Sequence, residues 1–163
     1  MGVLLMIDCG CVSADGVAKN IVWHDAKTLT IEGLGWKENH GDDYYCRLPV
    51  RARAFSTDNM WEQVVDSAGI VVRFVTDSRE VSAKWTLLVS QLGGSNMSAI
   101  GVSGVDLYVR QNGKWEWQNV GIPSGVKNEV TLISDAPAGK REYALYLPLY
   151  NGVTSVEVGV SEG

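Results

Sequence analysis

A serine hydrolase built on a nucleophile elbow presents its serine in G-x-S-x-G, where the flanking glycines let a strained strand-to-helix turn expose the hydroxyl. The nearest stretch in this chain is Gly101-Val102-Ser103-Gly104-Val105, with valine at the final glycine position. Two histidines, His24 and His40, are the only candidates for a general base, and neither stands in a pattern with a serine and an acid. Each is expected to be a surface residue. Zinc would need H-E-x-x-H or paired C-x-x-C spacing, and neither occurs. Asp42-Asp43 beside His40 offers oxygen ligands to a hard cation, but a solvated acidic loop is the first expectation. No glycine-rich loop opens a helix, so phosphate has no cradle. Asn96-Met97-Ser98 matches a glycosylation sequon, relevant only in a eukaryotic secretory pathway. The chain therefore carries no assigned catalytic residue, no metal site and no cofactor.

Binding chemistry is better represented. Sugar rings stack their C–H faces on exposed indole and phenol rings while neighbouring polar groups take the hydroxyls. Between Gly101 and Gly121, Asn112-Gly113 separates two runs rich in β-branched and aromatic residues, a pattern suited to a two-residue type I′ hairpin turn. Centring the turn there pairs Gln111 with Lys114, Arg110 with Trp115, Tyr108 with Trp117 and Asp106 with Asn119. Strand alternation then places Val105, Leu107, Val109 and Val120 on one face, with Glu116 and Gln118 nearer the turn. Asp106, Tyr108, Arg110, Trp115, Trp117 and Asn119 fall on the other. The first set reads as the core side of a sheet. The second reads either as a glycan-binding platform or as rings packed against the core or another domain.

The elements that hold this hairpin are expected to be strands. Eighteen glycines, six tryptophans and six tyrosines, with no long Ala/Leu/Glu/Lys-rich segment, favour an all-β fold. Strand candidates are 21–24, 29–32, 48–54, 69–75, 80–88, 128–133, 141–147 and 155–160, beside the two hairpin strands. The 69–75 run suits a strand covered on both faces, 48–54 alternates basic with apolar residues, and 58–61 could make a short helical turn. Trp85 and Trp23 are expected in the core. With no segment to supply crossover helices, the expectation is an antiparallel two-sheet β-sandwich. A chain of 163 residues can build one such domain with a substantial core. Its formal net charge of −5 and scattered Lys and Arg speak against nucleic acid, and no apolar run is long enough for a membrane span.

Residues 1–14 are expected to be a remnant signal or leader: an apolar run, Val3 to Ile7, precedes the small-residue pattern Val12-Ser13-Ala14. This implies export to the periplasm or beyond, with residues 15–163 forming the single domain. Cys9 and Cys11 lie in that leader, and the remaining Cys46 is expected to be a small buried filler.

Gly104-Val105-Asp106-Leu107-Tyr108 resembles the G-x-D-L-Y signature of the β-sandwich that precedes the catalytic domain in a group of SGNH (GDSL-type) esterases. Similar landmarks stand at Ile31-Glu32-Gly33-Leu34-Gly35-Trp36, Tyr45-Cys46-Arg47-Leu48-Pro49, 67–74 (S-A-G-I-V-V-R-F), Ala83-Lys84-Trp85-Thr86 and 146–153 (Y-L-P-L-Y-N-G-V). The resemblance implies a jelly-roll-like sandwich, similar to carbohydrate-binding modules, packed against a flavodoxin-like domain that holds the Ser-Asp-His machinery. The hydrolase motifs have no counterpart here, and the chain stops at Gly163, about where the family's linker would begin. The leading expectation is thus a non-catalytic N-terminal accessory domain whose partner is an SGNH hydrolase domain acting on esters, some borne on carbohydrates. Its docking surface is expected at the loops holding Asn96 and Tyr150-Asn151. The alternative is a free-standing carbohydrate-binding module using the hairpin face.

Overall fold

A computed structural model describes residues 20–36 and 44–161. Residues 1–14, with Cys9 and Cys11, and the His40/Asp42/Asp43 group lie outside the described residues. The described chain contains nine strands: β1 (Ile21–Asp25), β2 (Thr30–Glu32), β3 (Val71–Thr76), β4 (Val81–Leu87), β5 (Val105–Gln111), β6 (Lys114–Gly121), β7 (Lys127–Ile133), β8 (Arg141–Tyr146) and β9 (Val153–Ser161). Two short helices accompany them, α1 (Asp58–Val64) and α2 (Ala99–Ser103). Among the described residues no helix is long and apolar enough to cross a membrane.

The strands form a four-stranded sheet, β1-β9-β4-β7, and a five-stranded sheet, β2-β3-β8-β5-β6, with antiparallel pairing throughout. Only the β2–β3 and β5–β6 connections stay within a sheet; every other connection crosses between the two, which is the jelly-roll arrangement. Alternation supplies the core. Val81, Ala83, Trp85 and Leu87 from β4 face Val105, Leu107 and Val109 from β5 and Tyr143 and Leu145 from β8, all nearly inaccessible to solvent. Each large aliphatic buried this way contributes about 1.5–3 kcal/mol. Phe74 stacks on Tyr143, their ring centroids 5.3 Å apart.

Three local expectations differ from what the chain does. Residues 50–55 form a 3₁₀ helix rather than a strand, closed by Ala52 N–H to Pro49 O at 2.8 Å and Ser56 N–H to Arg53 O at 3.2 Å. The alternation there set two small alanines beside Val50 opposite arginine, too little apolar area to hold a strand on the core; no residue of the segment is buried. Arg53 instead lies 5.7 Å from the Trp61 ring and pairs with Asp58. Trp23 is not in the core: it lies on the outer face of the four-stranded sheet, across Gly159, under the Lys84 ammonium at 3.7 Å. The residue-by-residue pairing of β1 with β9 gives Trp23 the opposite side from Val158. The β3 run is covered on both faces only at its start, where Val71 and Val72 are buried; Val75 is 63% exposed. The helical turn expected near 58–61 is α1, capped by Thr57 Oγ1 accepting from Met60 N–H at 3.3 Å. Cys46 is buried, with its thiol directed at Val64 O.

Gly104 joins α2 to β5 where the backbones nearly touch. A Cβ there would sit 2.5 Å from Ile100 O and 3.0 Å from Gly121 O. Gly104→Ala is expected to cost roughly 1–3 kcal/mol through this overpacking. Gly125→Ala, with nothing within 4 Å of the added methyl, should stay near wild type. Urea unfolding of the two variants measures the contrast.

Candidate functional site

The hairpin turn is as the sequence requires: Asn112 and Gly113 have φ of 50° and 78°. Gln111 pairs with Lys114, Arg110 with Trp115 and Tyr108 with Trp117. Beyond that the register shifts between Leu107 and Tyr108, so Leu107 faces Asn119 and Asp106 faces Val120. Gln118 is the extra residue of a β-bulge. The bulge turns Asn119 off the aromatic face and onto the core side, against expectation, and sends Val120 outward. Asn119 Nδ2 there donates to Leu132 O at 2.8 Å, tying β6 to β7 of the opposite sheet. No sequence signal marks the bulge, because Gln118 and Asn119 are equally at home on a wet strand.

On the outer face of the five-stranded sheet, Asp106, Tyr108, Arg110, Trp115 and Trp117 are brought together as expected, but largely satisfy one another and their neighbours. The Arg73 guanidinium of β3 lies 4.3 Å from the Trp115 ring, a cation–π stack. Arg73 also pairs with Glu32 at 3.2 Å and with Glu142, which accepts from Arg110 at 3.1 Å. The hydrogen bonds from Arg73 and Arg110 hold the Glu142 carboxyl below the usual carboxylate range. Trp117 Nε1 donates to Asp106 Oδ1 at 3.1 Å, and Tyr108 meets Tyr146 edge to face at 5.3 Å. Sequence reasoning missed Arg73, Glu142 and Tyr146, which come from strands distant in the chain. Of the indoles, Trp117 presents the larger free area, at 53% exposure.

Asn96 and Tyr150 are brought together elsewhere, at the end of the sandwich where β5 begins and β8 ends. They line a cleft of about 380 Å³ with Val89, Gln91, Met97 and Val102. Tyr150 is 60% exposed, whereas its neighbour Asn151 is 1% exposed beneath the cleft. Asn151 Oδ1 accepts from Val89 N–H at 3.2 Å, and its Nδ2 donates to Val89 O, Gln91 O and Ser103 Oγ at 3.1–3.3 Å. Its side chain thus braces the loop. Ser103, the residue nearest to an elbow nucleophile in sequence, is fully buried and its Oγ accepts that bond. His24 is exposed on β1, paired with Val158. Among the described residues no three His, Cys, Asp or Glu side chains gather to hold a metal.

The jelly roll thus carries a braced loop cleft at one end and an aromatic, ion-paired face on its five-stranded sheet. Residues 21–163 match the family model described as GxDLY, the N-terminus of SGNH-hydrolase-type esterases, and the chain belongs to that family. Among solved structures it is similar to a protein described as a GDSL-like lipase from Bacteroides ovatus ATCC 8483, with 31% identity and a TM-score of 0.82. The match covers 88% of this chain and 41% of that one, so the chain spans less than half of its neighbour's length. Comparison with curated proteins gives no match.

Asn151→Ala removes four hydrogen bonds and strands buried backbone groups. It is expected to destabilise the chain by roughly 3 kcal/mol, while Tyr150→Ala next door changes stability by about 0.5 kcal/mol or less, both read by urea unfolding. Because the folded-state carboxyl of Glu142 is depressed, its contribution is fully present above the unfolded value of about 4.3 and is lost as pH falls through the lower folded value. Glu142→Gln should therefore flatten the fall in melting temperature between about pH 5 and pH 3 without altering its course from about pH 6 to 8.

Proposed function

We propose that this chain is the non-catalytic accessory β-sandwich of an SGNH/GDSL-type esterase, packing on its hydrolase domain and helping to shape the substrate site. What carries the reading is family membership over residues 21–163, named for the N-terminus of such esterases. The neighbour described as a GDSL-like lipase, more than twice the length of the matched sandwich, supports it. Ser103, the residue nearest in sequence to an elbow nucleophile, is buried and accepts a hydrogen bond from Asn151. The substrates would be carboxylic esters, including acyl groups carried on carbohydrates. The leader expected at residues 1–14 supports an exported protein acting in the periplasm or outside the cell.

A second reading is a free-standing carbohydrate-binding module, favoured by the half-exposed Trp117 ring beside Tyr108 and Asp106. A polar rim next to an open indole is the requirement for stacking a sugar. The two readings separate in a paired assay. The purified chain should leave aryl acetates unhydrolysed, and a glycan array should show no retention that Trp117→Ala abolishes. Turnover of an aryl acetate would overturn both readings. Glycan binding lost on removing the Trp117 ring would select the second.

A further inference from the structure

The chain carries 19 acidic and 14 basic side chains, so a place where cations outnumber carboxylates runs against its overall charge of −5. Clefts on the two sheet faces follow the average. One holds Arg73 with Glu32 and Glu142, and another sets Lys84 and Lys127 against Glu129 and Glu157. The cavity between the β5–β6 and β7–β8 turns does not. About 520 Å³ in volume, it is lined by Arg110, Lys140 and Arg141, with Glu142 as its single carboxylate. Register brings these groups together: β5 pairs with β8 so that Val109 faces Tyr143, which sets Arg110 beside Glu142 at the strand ends. Lys140 and Arg141 follow from the turn at Gly139, whose φ of 107° suits glycine alone. A methyl added at Gly113 or Gly139 would meet nothing within 4 Å, so neither turn crowds the cavity.

The carboxylate is committed and the cations are not. Glu142 Oε1 accepts from Arg73, and its Oε2 accepts from Arg110 at 3.1 Å. Arg110 spends one terminal nitrogen on that contact. Arg141 spends only Nε, which donates to Pro137 O at 3.2 Å. That bond orients the guanidinium and leaves both its terminal nitrogens without a protein acceptor among the described residues. The Lys140 ammonium is exposed and has no ion pair among the described residues. Of the acids in the neighbouring turns, Asp135 is paired with Arg79, and Asp77 forms no ion pair with Arg141, although Arg141 stands opposite Thr76.

We propose that this cavity is an oxyanion site, in which the Arg110 and Arg141 guanidinium groups and the Lys140 ammonium take up a carboxylate or sulfate group. Guanidinium forks match the paired oxygens of such groups, and the ammonium adds a rotatable point charge. Two sources present this chemistry: a free anion in solution, and an acidic polysaccharide bearing uronate or sulfate groups. The site shares no residue with the Asn96/Tyr150 cleft, and it stands whether or not the chain precedes a hydrolase domain.

The test is an NMR titration of the isotope-labelled chain with sodium sulfate at low ionic strength, where surface charge is least screened. Amide signals of 110–114 and 137–142 should shift saturably while those of the Asn96/Tyr150 loops stay in place. Lys140→Glu and Arg141→Gln should each weaken the binding by roughly tenfold or more. Lys140 is exposed in a turn, so its variant should unfold in urea as the parent does. Lys127→Glu makes the same change of net charge on the opposite sheet and should weaken binding by about twofold or less. Polygalacturonate and dextran sulfate, with neutral dextran as the blank, separate the sources. Tighter binding per anionic group than sulfate shows assigns the site to a polysaccharide, and equal binding assigns it to a free ion. Shifts that are absent, fail to saturate or spread over the whole surface overturn the proposal. So does an equal loss from Lys127→Glu and Lys140→Glu, which would reduce the effect to net charge.

Discussion

Burial of one indole organises the molecule. Trp85 stands between the two sheets with about 1% of its surface exposed, and a buried indole N–H must find an acceptor. It finds Ser103 O at 3.0 Å, which requires α2 to present that carbonyl inward. The ring needs room on its other side, and Gly121 provides it: a methyl there would lie 2.9 Å from the indole. Ser103 Oγ in turn accepts from the Asn151 amide, and Asn151 fixes the loop at Val89 and Gln91. A single hydrophobic burial thus propagates through two hydrogen-bonded residues to the shape of the surface cleft.

The G-x-D-L-Y signature acquires a physical meaning in this setting. Gly104 is needed because two backbones approach too closely for a side chain, and Leu107 is fully buried in the core. Asp106 accepts the Trp117 indole N–H, and Tyr108 packs edge to face on Tyr146. Gly104, Asp106, Leu107 and Tyr108 of the motif therefore each satisfy a structural demand. The outer sheet face follows the same logic. Arginine, glutamate and indole side chains from β2, β3, β5, β6 and β8 interlock there, and the aromatic residues largely cover charged partners on the same sheet.

Much of this was legible beforehand. Alternation in Val81 to Leu87 and in Val105 to Val109 named the buried side chains, and Asn112-Gly113 named the turn. The failures have particular causes. Residues 48–54 alternate but contain too little apolar area, so local hydrogen bonding won. Asn119 looked like part of a polar platform because a one-residue bulge leaves no mark in composition. Asn151 was expected with Tyr150 on a docking loop, but its hydrogen-bond partners Val89, Gln91 and Ser103 come from elsewhere in the chain and bury it.

The amino-acid sequence alone determined the all-β class, the hairpin, most of the core and the family, since these follow from side-chain period, turn chemistry and short motifs that are local along the chain. Only the tertiary structure decided which polar residues are braces and which are free. It also decided that the Asn96/Tyr150 cleft and the Trp115/Trp117 face are separate surfaces. The physical reason is that burial and hydrogen-bond partnership are set by strands far apart in sequence, and one bulge or one tight glycine contact redirects a side chain with no local sign.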